Sequence, residues 1–189
     1  MSWEELSAVS SFFTLIVIAA SAVAAVIQLR HMRAGNQISA SLGLLDKWAS
    51  PDARALANYV FQGEMERKLQ DRAYRDSLQK IPIDRLEHPE VAYLDFWESM
   101  CTLIKLGYTA EEGFMESGGF QCIAAWHKLN PVLAIIRRTR GPQVYDNFEY
   151  VASRAMKWEA AHAGGTYPKD APHLPVVDIY SEDTAPNVP

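Results

Sequence analysis

The stretch Phe12-Phe13-Thr14-Leu15-Ile16-Val17-Ile18-Ala19-Ala20 lies at the centre of a longer run, Leu6 to Leu29, that carries no ionisable side chain. As a helix rising about 1.5 Å per residue the run spans roughly 36 Å, enough to cross a hydrocarbon core of about 30 Å. It predicts a single N-terminal transmembrane helix, with the lipid bilayer as the partner of residues 6–29 and everything downstream tethered to it. Two rival readings fit less well. A secretory signal peptide needs a basic start, a short apolar centre and a small-residue cleavage site. Ala20-Ser21-Ala22 could be cut, but the chain opens on Trp3-Glu4-Glu5 and stays apolar beyond that point. A buried core helix rarely stays uncharged for more than about 14 residues.

The flanks set the direction. Arg30, His31 and Arg33 follow the span directly, while Met1 to Glu5 offers only the amino terminus as a positive charge. Lys and Arg are retained on the cytoplasmic side, so the expected arrangement is single-pass in a cell inner membrane, N-terminus out and domain in the cytoplasm. Trp3 suits the outer interface.

Beyond the span, enough chain remains for one domain able to bury its own core. The expected division is an anchor at residues 1–33, a helical domain at 34–163 and a disordered, proline-rich tail at 164–189. The 18 Lys and Arg against 23 Asp and Glu give a net charge of -5. That balance excludes a general nucleic-acid binder, which needs a basic stripe against phosphates. The basic cluster Arg137-Arg138-Thr139-Arg140 reads instead as a helix C-terminus before Gly141, where cations meet the negative end of the dipole. Cys101 and Cys122 are too few for a disulfide framework and sit in apolar helical patterns, consistent with a reducing compartment.

The rest of the chain is helical by pattern. Ile38, Leu42, Leu45 and Trp48 recur at three and four residues, so the span is expected to continue as a stalk, with Gly35-Asn36 as a kink or a break. Ser50-Pro51-Asp52 starts a helix to Phe61, since serine caps orphan amides and proline loses nothing at the first position. Glu64 to Lys80 is charge-rich and predicts one or two short helices. From Pro89 to Gly107, Tyr93, Trp97, Met100 and Ile104 form one apolar stripe, opposite Asp95, Glu98, Thr102 and Lys105. Thr109-Ala110-Glu111-Glu112 has the spacing of a capping box, predicting a short helix from Ala110 to Glu116 stopped by Gly118-Gly119. A further helical pattern runs from Phe120 through Leu133 and Ile136; Pro131 inside it implies a kink, or a new helix capped by Asn130. The last helix is expected from Pro142 to His162, with Val144, Phe148, Val151, Ala155 and Trp158 as its stripe. The tail holds an apolar run, His173 to Val177, that could dock in extended form.

Chemistry is sparse. No Glu-x-x-His motif repeated on two helices, phosphate loop, dinucleotide fingerprint or nucleophile elbow occurs, so no catalytic residue, metal or cofactor is assigned. His127 falls opposite the apolar stripe and reads as solvated. Glu87-His88-Pro89 reads as a helix entry. Asp95 and Glu98, one turn apart, could form a carboxylate pair, although their polar face also suits ordinary surface ion pairs. Trp97, Trp126 and Trp158 stand on three helices and read as bundle core, with a ligand cage as the sharper alternative.

An uncharged N-terminal span is followed in order by Asn36-Gln37-Ile38-Ser39-Ala40, Trp48-Ala49-Ser50-Pro51, Asp95-Phe96-Trp97-Glu98, Trp126 with Pro131, and Tyr145-Asp146-Asn147-Phe148-Glu149-Tyr150. This order resembles a family of bacterial membrane-anchored helical proteins catalogued only as a domain of unknown function. The resemblance covers most of residues 30 to 160; it implies the topology and a bacterial origin, and carries no catalytic residue over. It directs attention to Asp95, Glu98, Asn147 and Glu149 as the candidate polar site. The expectation is an all-α protein, a transmembrane helix followed by a cytosolic helical bundle, acting as a membrane-tethered interaction or regulatory module. Its partner would be another protein or a second copy of itself, with no nucleic acid. The alternatives are a membrane-associated enzyme built on those four residues and a small-ligand sensor with an apolar cavity among the tryptophans.

Overall fold

The computed structural model describes residues 3–180, an all-α chain of seven helices with no strand among them. The first, α1, runs unbroken from Trp3 to Ala49. Its stretch Ser11–Ala49 is long and apolar enough to cross a membrane, and none of its most apolar window is buried against the rest of the chain. A core helix would be covered, so that alternative fails on the geometry. Gly35-Asn36 does not separate two pieces: the helix continues and its last turns enter the domain, where Leu44 is buried and Trp48 packs on the core.

Two short caps behave as local chemistry dictates. Ser50 accepts the Ala53 amide at 3.2 Å and starts α2, Pro51–Phe61. Asp71 accepts the Ala73 amide at 2.9 Å and starts α4, Arg72–Ser77, just after α3, Glu64–Leu69. The centre of the domain is α5, Pro89–Lys105, whose expected stripe of Tyr93, Trp97, Met100 and Ile104 is buried throughout. Trp97 is 1% exposed, lies parallel to Phe148 at 5.6 Å and meets Trp48 edge-on at 5.6 Å. Removing a side chain of roughly 200 Å² from water contributes about 5 kcal/mol, which makes this ring stack a major anchor of the core.

The glycine pair does not stop a helix. One element, α6, spans Glu111–Arg140 and passes through Gly118, Gly119 and Pro131 without a break, so neither the short helix to Glu116 nor a fresh start at Asn130 is formed. The reason is tertiary. A Cβ on Gly118 would stand 2.8 Å from the Trp48 ring, so that glycine lets α6 approach α1 closely, while one on Gly119 would make only ordinary contact with Ala155 at 3.7 Å. The capping box fails as well: Ala110 is the N-cap, and the Thr109 hydroxyl is buried with no hydrogen-bond partner.

The last helix, α7, is Asp146–Ala161 and starts later than the pattern suggests. Tyr145 just before it has φ 61, in the left-handed region, and its ring is buried. Phe148, Val151 and Ala155 face the core as expected, with Val144 and Trp158 partly buried at its edge. Beyond α7 the described chain to Tyr180 holds no helix or strand, His173 to Val177 included, and Thr166 donates to Glu116 at 2.8 Å. The remainder of the tail expected at 164–189, residues 181–189, lies outside the described residues.

Candidate functional site

The four residues singled out by the sequence lie where α7 meets α5 and α6, and three of them share one seam. The N-cap of α7 has no side-chain cap of its own. Glu98 supplies it from α5: Oε2 accepts the Phe148 amide at 2.9 Å, and Oε1 accepts from Asn147 Nδ2 at 2.7 Å. A carboxylate at a helix N-terminus satisfies an orphan amide and favours the dipole together. Asn147 also donates to Thr102 at 3.1 Å and accepts from Lys105 Nζ at 2.6 Å. One turn earlier Asp95 accepts from Arg85 Nε at 3.0 Å and from the Tyr145 hydroxyl at 2.8 Å. Burial, then the bond to Asp95, pushes the Tyr145 phenol well above its ordinary value.

Glu149 is not part of that seam, because it points to α6, where Arg137 holds its Oε2 at 2.7 Å. The face read as solvated is thus an interhelical stitch. Every oxygen of Asp95 and Glu98 already has a protein partner within that stitch.

A second polar cluster escaped the sequence pattern. His88 and Glu90, 1% and 0% exposed, flank Pro89 at the start of α5. His88 Nδ1 lies 2.9 Å from Glu90 Oε1, and His88 Nε2 lies 2.8 Å from the Ser77 hydroxyl at the end of α4. The Tyr74 hydroxyl donates to Glu90, 2.8 Å from both oxygens, and meets the Tyr59 hydroxyl of α2 at 2.9 Å. Burial is the main cause that pushes Tyr59 up to about 12 and Tyr74 higher still.

Hydroxyl, imidazole and carboxylate here have the connectivity of a hydrolase triad. A nucleophile must also face its substrate, and Ser77 is 8% exposed with its hydroxyl 2.8 Å from the Tyr74 carbonyl. What the cluster does is clasp α2, α4 and α5 through buried groups that satisfy one another. Its only trace in the sequence is Tyr74 and Ser77 at i, i+3, with an acid and an imidazole either side of a proline.

The third feature is an apolar groove of about 240 Å³ where α1 meets the turn into α6, lined by Leu44, Leu45, Trp48, Met100 and Phe114 among others. Thr109, whose buried hydroxyl has no partner, also lines it. The groove lies beside Trp48 rather than among Trp97, Trp126 and Trp158. Trp97 is core, whereas Trp126 and Trp158 are half-buried at its margin. Cys101 and Cys122 are buried, and the neighbouring Cys122 together with burial pushes the Cys101 thiol up, so it stays neutral. Among the described residues no group of three or more His, Cys, Asp or Glu could hold a metal ion.

A family model described as "Domain of unknown function (DUF4760)" matches residues 15–158. No curated protein and no solved structure matches the chain.

Proposed function

Because the chain belongs to that family of unknown function, we propose from its own geometry that it is a membrane-tethered helical interaction or regulatory module. In this reading residues 1–33 anchor it in a cell inner membrane with the N-terminus outside, and residues 34–163 form a cytoplasmic domain whose partner is a protein.

The observation that carries the reading is the continuity of α1. Between Phe12 and Leu29 its large apolar side chains are exposed on every side, Phe12, Phe13, Val17 and Ile18 each by more than half. Contiguous apolar surface of that extent needs a non-aqueous neighbour, and a bilayer supplies one around the whole circumference. The same helix then contributes Leu44 and Trp48 to the domain core. Span and domain are therefore mechanically one piece, as suits a module that acts at the membrane.

Membrane fractions of cells carrying the full chain test it. The protein should stay in the pellet after alkaline carbonate extraction. A Ser2→Cys variant should react with an impermeant thiol reagent in intact cells, and a Ser153→Cys variant only after lysis. Release by carbonate would overturn the tether, and reversed labelling the orientation. The buried Cys101 and Cys122 provide a low background.

A further inference from the structure

We infer that the turn between α5 and α6, Leu106-Gly107-Tyr108, rests on the headgroup layer of the bilayer that α1 spans, giving the domain a second contact with lipid. This rests on the membrane-tethered reading above and names the lipid surface as the partner of that turn.

Three contacts place the turn. Trp48 near the end of α1 meets Trp97 edge-on at 5.6 Å, Leu44 and Met100 line the same groove, and Gln37 donates to the Gly107 carbonyl at 3.1 Å. Descending α1 towards its apolar run therefore means following α5 from its middle to its C-terminal end: eleven residues from Trp48 to Gln37 match ten from Trp97 to Gly107. At Gly107 the chain reverses. Its φ of 74 lies in the left-handed region, and the Tyr108 amide bonds the Leu103 carbonyl at 3.0 Å, which ends α5. The next helix, α6, climbs back, since Phe114 lies against Trp48. The turn is thus where α5 and α6 come nearest to the span, and it carries Leu106 and Tyr108, 62% and 54% exposed.

Its height follows from the same helix. Gln37 lies seven residues beyond Arg30, about 10 Å along the axis. The headgroup layer extends about 5 to 7 Å beyond the hydrocarbon core on each side. An upright α1 would hold the turn just above that layer. The uncharged run, however, is about 6 Å longer than the core, an excess that a span takes up by tilting. At the average tilt of about 20°, leaning to the side that carries α5 roughly 10 Å away, the turn comes down to about 7 Å above the core, within side-chain reach of the headgroups.

The chemistry of the turn suits that depth. Tyrosine is favoured at the interface because its ring is apolar and its hydroxyl polar. Nearby charges are engaged elsewhere: Lys105 donates to Asn147, and Glu111 is held by Arg154. The contact therefore draws on Leu106 and Tyr108 and not on lipid charge. The bond from Gln37 holds the turn at the level of the membrane in every copy, so lipid is the surface it meets. The tilt that seats it also decides which side of the domain faces the bilayer.

Full-length protein in phosphatidylcholine vesicles is the test. Leu106→Cys, Tyr108→Cys and Leu86→Cys are each labelled with an environment-sensitive nitrobenzoxadiazole dye. Leu86 is the control, an apolar side chain 93% exposed that precedes α5 at its opposite end. Because α5 holds the two ends about 25 Å apart, lipid spin-labelled at the headgroup should quench the dye at 106 and 108 at least about threefold more than at 86. Adding Leu106→Asp, an exposed change, should lower quenching at 108 to the level at 86. Equal quenching at all three positions, or quenching at 108 that ignores Leu106→Asp, would overturn the contact. Flotation of the same vesicles is read separately: protein that does not float with them defeats the tether, whereas floating protein with equal quenching defeats the contact alone.

Discussion

Gly118→Ala tests how the end of α1 is seated on α6. In a helix interior the change gains about 1 kcal/mol from backbone propensity. Against it, the new methyl would stand 2.8 Å from Cη2 of Trp48 and 2.9 Å from Cε2 of Phe114, where comfortable carbon contacts need about 3.5 to 4.0 Å. The indole cannot simply swing aside, because Trp97 and Phe114 pack on its faces and edge. Overpacking of this kind costs about 1 to 3 kcal/mol, so the variant should be destabilised by about 0 to 2 kcal/mol net. Gly113→Ala is the control, on the same helix and with nothing within 4 Å of the added carbon, and it should be stabilised by about 0.5 to 1 kcal/mol. Urea unfolding of the full chain in mild detergent, followed by circular dichroism at 222 nm, measures both. Adding Trp48→Leu to Gly118→Ala should recover part of the loss, as coupled neighbours do. If Gly118→Ala stabilises as much as Gly113→Ala does, Trp48 is not packed against α6 and the rigid junction of α1 with the domain is wrong.

Glu98→Ala should cost about 1 to 2 kcal/mol, since it removes the cap of α7, leaves the Phe148 amide unpaired and takes one of the three partners of Asn147, whereas Glu149→Ala breaks a surface pair and should stay within about 0.5 kcal/mol. Equal losses in the same unfolding assay would contradict the seam. Alkaline stability gives a second check: Tyr59 is raised from 10.0 to about 12, and Tyr74 and Tyr145 shift the same way, so the folded state holds protons that the unfolded state releases. The Tyr59 contribution is complete below about pH 10 and is lost as pH rises through about 12; the melting temperature should fall over that window, less steeply in Tyr59→Phe. An identical fall in the variant would remove the Tyr59–Tyr74 contact from the account.

The elements that sequence revealed are those decided locally. Ser50-Pro51 starts a helix through its own hydroxyl and ring, and the stripe Tyr93, Trp97, Met100, Ile104 reports one helix turning against one core. What failed was decided by a distant residue. Gly118-Gly119 reads as a stop until Trp48, far away in the chain, is seen to need the missing Cβ. Thr109 has the spacing of a cap, yet it is drawn into the groove beside α1 and leaves Ala110 to begin the helix. The same holds for the candidate site. Periodicity separates Asp95 and Glu98 from the apolar stripe, but it cannot see that α7 arrives on that polar face and uses both carboxylates. His88 and Glu90 were the hardest to read, because burying an acid is sensible only once Tyr74, Ser77 and the imidazole surround it.

The unbroken run of α1 into the domain also fixes a height. Roughly fourteen residues separate Arg30, at the end of the apolar run, from buried Leu44, and as helix they measure about 21 Å. A flexible glycine–serine linker of that length has nearly the same average reach, about 5 to 6 Å times the square root of its length, but with a spread as large as the mean. The helix removes the spread and keeps the mean. With its span in a bilayer, the domain would sweep a thin slab parallel to the membrane, and a partner would have to present its surface at that one elevation.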